Sequence, residues 1–323
     1  MIADAEAAAS VRLLTIPEDV AGQRLDNFLL SQLKGAPRAL IYRIVRTGEV
    51  RVNKGRVKPD YRLQAGDVVR VPPLRLAEAK EREEQPAPGA MRQLSQRIVY
   101  EEGGLLVLNK PPGLAVHGGS GVAWGVIEAL RALRPDAPFL ELVHRLDRDT
   151  SGLLMVAQKR SVLRELHELL RQGRMEKVYV ALLSGRLKGA EHRVTAPLHK
   201  TNLPNGERIV RVARDGKEAA THFRVIERIG DVTLVEARPE TGRTHQIRVH
   251  AQYLGHPLVG DEKYGSDAVN KAMRAYGAQR LFLHARSLRI RMKDMPQDLR
   301  LDCPLDADLN AVLEKLRLIQ AGA

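Results

Sequence analysis

The chain has 323 residues, enough for two domains, and its 44% hydrophobic content supports an ordinary buried core, although aromatic residues supply only 4%. It carries 52 Lys and Arg against 39 Asp and Glu, a formal charge of +13, which suits a polyanionic partner such as RNA, DNA or an anionic membrane. One cysteine, Cys303, excludes an internal disulfide and any cysteine-based zinc site and fits a reducing compartment. No apolar run is long enough to cross a bilayer, and the start Met1-Ile2-Ala3-Asp4 lacks the basic and apolar regions of a secretory signal. These features lead us to expect a cytoplasmic protein that makes no membrane contact.

In chain order, residues 11–75 read as a small unit. Leu25, Phe28 and Leu29 stand at helical spacing. A second helix over Arg38 to Thr47 has an apolar face of Leu40, Ile41, Ile44 and Val45. Pro37 suits its first turn and Gly48 its left-handed close. Val50 and Val52 alternate with Arg51, Asn53-Lys54-Gly55 offers a tight turn, and Val68 to Val71 reads as a strand. Lys34, Arg38, Arg43, Arg46, Arg51, Lys54, Arg56 and Lys58 meet one acid, Glu49, and three of the arginines share the polar side of the helix. That is a phosphate-binding surface or a solvated cap. Residues 76–96, with a run of charges followed by Gln85-Pro86-Ala87-Pro88-Gly89, read as a linker.

Residues 97–323 hold many short apolar runs, among them Leu105 to Leu108, Leu153 to Ala157 and Val178 to Leu183. Helical patterns lie between them at Gly125 to Leu133 and Arg160 to Arg171, and a closing helix at Leu309 to Ile319. This mixture predicts an α+β domain.

Three polar segments carry candidate chemistry. The run His144-Arg145-Leu146-Asp147-Arg148-Asp149-Thr150-Ser151-Gly152 sits between apolar strands, where its charges are costly unless paired. It reads either as a structural ion-pair network or as a site built on a carboxylate. Thr241-Gly242-Arg243, after the strand Val232 to Ala237, offers a turn able to hold phosphate. His245, His250 and His256 do not have the spacing of a zinc motif. Asn109-Lys110-Pro111-Pro112-Gly113 is a tight turn, and Gly118 to Gly121 lacks the Gly-Lys-Ser/Thr ending of a P-loop.

Taken together and in order, Asn109 to Gly113, His144 to Gly152, Lys177-Val178-Tyr179 and Gly242 to His250 resemble the RluA family of pseudouridine synthases. Gly255 to Asp261 and Leu281 to Ala285 continue the likeness. The pattern is most similar to the RluC branch, whose substrates are uridines in large-subunit ribosomal RNA; the sister RluD branch has the same architecture. Arg24-Leu25-Asp26, the arginine-bearing helix and Gly48 to Asn53 resemble an S4 RNA-binding domain. Pro112 departs from the small residue usual in the family without disturbing the turn.

The resemblance implies a mixed or antiparallel-sheet catalytic domain behind a small α+β S4 domain, working without a cofactor on large-subunit ribosomal RNA or a pre-ribosomal particle; a monomer is our default expectation. It implies Asp147 as the catalytic carboxylate, as nucleophile or base toward the sugar, with Arg248 as its ion-pair partner and Tyr179 packing on the uracil. Arg145 would enter the RNA helix in place of the flipped nucleotide. Arg243, Arg38, Arg43, Arg46 and Lys54 would contact RNA, with His245 and Gln246 supporting or contacting it, and Asp149 would be structural. Two other readings compete: a non-catalytic S4-type ribosome-assembly factor, and a glycosidase using Asp147 with Asp149.

Overall fold

The computed structural model describes residues 10–33, 36, 38–74, 88–118, 124–202 and 208–321. The chain folds as two compact units, Met1–Glu83 and Glu84–Ala323. Lys34, Pro37, Gly119 to Gly121 and the linker residues up to Ala87 lie outside the described residues.

In the first unit, helices α1 (Leu25–Gln32) and α2 (Arg38–Arg46) pack on an antiparallel sheet ordered β1 (Arg12–Thr15), β3 (Val68–Val71), β2 (Arg51–Val52). Leu25, Phe28, Leu29, Ile41, Ile44 and Val45 form the core with Val50, Val52, Leu63, Val69 and Val71. Gly48, at φ +78°, ends α2, and a Cβ there would crowd the Arg56 guanidinium. Asn53 and Lys54 both take positive φ, at 50° and 67°. The Val52 and Gly55 backbones pair across them, so Lys54 sits at the tip of a primed hairpin turn. Arg43, Arg46 and Lys54 are exposed. Strand β1 has no counterpart in the sequence pattern, because Arg-Leu-Leu-Thr shows no clean alternation.

The second unit opens with α3 (Pro88–Ser95), where the sequence suggests a linker. Leu94 is 3% exposed in the core of this unit, and that burial outweighs the Pro-Gly start. A ten-stranded sheet among the described residues then runs β4 (Ile98–Glu102), β5 (Leu105–Lys110), β7 (Ser151–Ala157), β14 (Leu283–Ile290), β8 (Glu176–Ser184), β13 (Val232–Pro239), β12 (Ala220–Ile229), β9 (Glu191–Thr195). Strands β6 (Glu141–Leu142) and β15 (Leu299–Asp302) pair with β7 and β14. Its strands pair antiparallel throughout except β7 with β14, so the α+β expectation holds.

Alternate residues face opposite layers. Leu106, Leu108, Leu154, Val156, Ala181, Leu183, Val235 and Ala237 join α4 (Val126–Leu133) on one face. Leu105, Val107, Leu153 and Met155 meet α5 (Arg160–Arg171) on the other, while Leu182 and Leu234 meet α7 (Ala307–Ala321). A smaller hairpin, β10 (Leu198–Asn202) with β11 (Arg208–Val212), stands apart from this sheet.

The parallel junction lies where the run of polar residues ends. Ser151 and Gly152 pair with His284 and Ala285. Gly152 has φ +105°, and a Cβ there would overlap the Ala285 carbonyl oxygen. Only glycine lets the two strands meet. Gly152→Ala should therefore lower unfolding stability by at least about 1–3 kcal/mol, read by chemical denaturation; an unchanged midpoint would contradict this close approach.

Candidate active site

The segment from Val143 to Thr150 leads into β7 and is pinned along its length. The Val143 N–H donates to the Met155 carbonyl. His144 Nε2 accepts the next free donor, the Met155 N–H, at 3.2 Å, so a side chain continues the strand ladder. Burial pushes the His144 pKa down to about 3, which keeps that nitrogen an acceptor. Leu146 is 4% exposed in the core, and on either side of it Arg145 and Asp147 line the cleft. The Thr150 N–H closes a turn on the Asp147 carbonyl.

Lys110, at the end of β5 and fully buried, anchors the far side. Its Nζ donates to the carbonyls of Pro111, Leu114 and Arg148 at 2.8, 2.9 and 2.9 Å. Burial pushes its amine down to about 7, against the pull of the Asp149 and Asp147 charges. Three acceptors require three N–H donors, so the contacts are those of an ammonium. Arg148 Nε donates to the Gly113 carbonyl at 3.0 Å, and Asp149 is exposed.

Opposite this loop, β13 turns into α6 (Gln246–Tyr253). The sequence conceals this helix because Ile247, Val249 and Ala251 alternate with polar residues as they would in a strand. One side chain braces this turn from within. The Arg243 N–H donates to Gln246 Oε1 at 3.0 Å, as does the Thr241 hydroxyl at 2.7 Å. Gln246 in turn donates to the Ala220 carbonyl. With 4% exposure, Gln246 is a brace for the turn and not an RNA contact. His250 is fully buried between Thr221 and Ala196. Arg243 is exposed at the cleft.

Arg248 projects from the first turns of α6 and bridges two carboxylates. Its Nη1 donates to Asp147 Oδ2 at 3.0 Å, and Nε and Nη2 grip Asp261 at 2.7 and 2.8 Å. In the sequence, Asp261 stands only at the edge of a motif, with no role assigned to it. Its side chain is fully buried and also accepts the backbone N–H groups of Lys263 and Tyr264. Burial alone would raise its pKa; the Arg248 guanidinium and these two donors outweigh that and hold the carboxyl below the usual range. Gly260 makes the approach possible, with φ +74° and no Cβ to collide with the Arg280 carbonyl oxygen.

These walls enclose a cleft of about 800 Å³. Asp147, Arg248, Tyr179, Arg145, Arg243 and Lys177 all line it. Arg145 is exposed, and no described residue pairs with its side chain. Tyr179, on β8, is 8% exposed, and burial followed by the Asp147 charge raises its phenol pKa. Burial likewise lowers the Lys177 pKa. His245 Nε2 stands 3.8 Å from Asp147 Oδ1. No cluster among the described residues is built to hold a metal ion. The basic residues Arg43, Arg46 and Lys54 belong to the first unit, as does the backbone of Arg38, and are not part of this cleft.

Removing one partner of a buried ion pair leaves the other uncompensated. Asp261→Ala should lower unfolding stability by about 3–5 kcal/mol. A carboxyl with a depressed folded pKa contributes fully above its unfolded value and loses that contribution as the pH falls through the folded one. Stability of the wild type should thus fall below about pH 4, and Asp261→Asn should flatten that part of the profile. Matching acid limbs in the two proteins would contradict the assignment.

Comparison with known proteins agrees with this geometry. Residues 104–253 match the model for RNA pseudouridylate synthase and residues 23–69 that for the S4 domain. The chain is 56% identical to ribosomal large subunit pseudouridine synthase C of Pasteurella multocida over 308 residues, covering 95% of this chain and 94% of that protein. The corresponding protein of Escherichia coli K12 is 54% identical over 310 residues, covering 95% and 97%. Among solved structures, human RNA pseudouridylate synthase domain containing 4 superposes with a TM-score of 0.58 at 28% identity, covering 70% of this chain and 95% of that one. With more than half of its residues identical to full-length relatives, the chain belongs to the RNA pseudouridylate synthase family and carries an S4 domain ahead of its catalytic fold.

Proposed function

We propose that this protein isomerises specific uridines of large-subunit ribosomal RNA to pseudouridine in the cytoplasm, as a monomer, on free RNA or a pre-ribosomal particle, with Asp147 as the reacting carboxylate. The observation that carries the reading is the cleft in which Asp147 is held by Arg248 beside Tyr179. Both relatives above are named for pseudouridine synthesis in the large ribosomal subunit.

The reaction breaks the N1–C1′ bond of uridine, turns the uracil and joins C5 to C1′. The proton on C5 leaves and N1 ends protonated, so the product is an isomer and no electron is gained or lost. A uridine within RNA structure must first be flipped out of its stack. Arg145, exposed at the cleft and unpaired among the described residues, is free to fill the vacated place. Asp147, presented to the sugar, either attacks C1′ as a nucleophile or takes a proton from the sugar as a base. Arg248 fixes its aim through one N–H while Asp261 holds the rest of the guanidinium. Tyr179 forms a wall against which the detached uracil stacks. No hydrolysis occurs, and the apolar flanks supplied by Leu146, Ile247 and Leu283 keep water from the reacting carbon.

The S4 unit, which we place at residues 11–75 ahead of a catalytic domain at 97–323, supplies sequence-independent affinity. Arg38, Arg43 and Arg46 along α2 and Lys54 on its hairpin meet phosphates, and Arg243 does so at the cleft.

Two measurements test this. Asp147→Ala and Asp147→Asn, assayed on large-subunit rRNA by mass spectrometry after pseudouridine-specific tagging, should lose at least about a thousandfold in rate and keep their RNA affinity. Activity in both variants would overturn the assignment, and release of free uracil by the wild type would make the protein a glycosidase. Replacing Arg43, Arg46 and Lys54 together by Ala should flatten the plot of log affinity against log salt by about two units, at roughly 0.7–0.9 per lost phosphate contact. An unchanged slope would mean this face does not touch RNA.

A further inference from the structure

Tyr264 is 2% exposed and touches three groups that lead to Asp147. Its backbone N–H donates to Asp261 Oδ1 at 3.0 Å. Its ring lies 5.0 Å from the guanidinium carbon of Arg248, within range of a cation–π contact. Its hydroxyl stands 2.7 Å from His245 Nδ1 and accepts the N–H of Val210, from the β10–β11 hairpin, at 3.0 Å.

The hydrogen-bonding capacity of each group decides the direction of this chain. A phenol has one hydrogen to donate. Val210 is itself a donor and cannot accept that hydrogen, so among the described residues His245 Nδ1 is the acceptor that stands within its reach. A neutral imidazole that accepts at Nδ1 carries its proton on Nε2. Nε2 is the atom that faces Asp147, 3.8 Å from Oδ1, while Arg248 occupies Oδ2. Burial lowers the His245 pKa, with the Asp147 charge opposing it, which favours the neutral ring. His245 holds φ +53°, a left-handed conformation costly for any residue but glycine and typical of sites that must aim a side chain.

We propose that Tyr264 is a positioning residue: its hydroxyl fixes His245 as the Nε2–H tautomer and its ring seats Arg248, so that each oxygen of Asp147 faces a fixed N–H donor. The His245 donor stands beyond hydrogen-bond range in the free protein and closes on Oδ1 as the flipped nucleotide fills the cleft. This inference rests on Asp147 being the reacting carboxylate.

Tyr264→Phe keeps the ring and removes only the hydroxyl; Tyr264→Leu removes both. In the full-length wild type labelled with ¹⁵N-histidine, and with His245 assigned by its loss in His245→Gln, the ring should show the Nε2–H tautomer. In Tyr264→Phe that signature should give way to a mixture, and kcat should fall about tenfold, the scale of one lost hydrogen bond, with KM unchanged. Tyr264→Leu should fall further. An Nδ1–H tautomer in the wild type, or a change in only one of the two readouts in Tyr264→Phe, overturns the proposal. Should Tyr264→Phe fail to fold, the wild-type tautomer decides alone. Asp147→Asn run in parallel separates the failures: activity there sinks the reading of the site, whereas an unaffected Tyr264→Phe beside an inactive Asp147→Asn sinks only this inference.

Discussion

Everything in the catalytic cleft is arranged around one guanidinium. Arg248 uses two N–H groups to grip the buried Asp261 and a third to reach Asp147. A charge with only 11% of its side chain exposed is costly unless it is paired and hydrogen-bonded. Asp261 supplies that compensation whether or not Asp147 is engaged with a substrate. The cost of keeping a cation in the wall is thus separated from the aiming of Asp147, the carboxylate we propose as the reacting group. A lone Arg248–Asp147 pair would have to break its only compensation to let the carboxylate work. On the proposed reaction, one partner stays while the other acts.

The scaffold supplies three segments that meet at this point. The loop before β7 presents Asp147, the first turns of α6 present Arg248, and the turn after Gly260 presents Asp261. Each is fixed by a residue whose bracing contacts only the structure shows. Lys110 fastens the first through the Arg148 carbonyl, tying it to the Pro111 and Leu114 carbonyls after β5. Gln246 fastens the second by accepting the Arg243 N–H and the Thr241 hydroxyl. Gly260 admits the third against the Arg280 carbonyl. Gly152 allows the parallel pairing that brings β7 beside β14. The geometry of the candidate site therefore rests on backbone contacts that substitution of Asp147 would leave in place.

Much of this is legible in the sequence, and the reason differs from element to element. Helix α5 shows its observed bounds, Arg160–Arg171, because its apolar residues keep a helical period without interruption. The α+β class follows from short apolar runs separated by turns. Asp147, Arg248, Tyr179 and Arg145 stand out through motif order, and they do line one cleft. Helix α6 is hidden because alternating Ile247, Val249 and Ala251 imitate a strand. Helix α3 is hidden because Pro88 and Gly89 suggest a loop, and only the burial of Leu94 overrides them. Asp261 and Tyr264 do not announce themselves as functional because their roles exist only across space. Asp261 is 13 residues from Arg248 and Tyr264 is 19 from His245, and no local pattern marks such a pairing.

The central claim is that this cleft is an isomerase centre whose chemistry runs through Asp147, and not an RNA-binding surface that has kept the form of one. Mapping pseudouridines across the large-subunit rRNA of cells that lack this gene, re-supplied with either the wild type or Asp147→Asn at equal abundance, tests it most directly. The account predicts that the wild type restores a defined set of pseudouridines while Asp147→Asn, with the same S4 unit and the same Arg248–Asp261 pair, restores none of them. Restoration of the same positions by both proteins, or by neither, would contradict it.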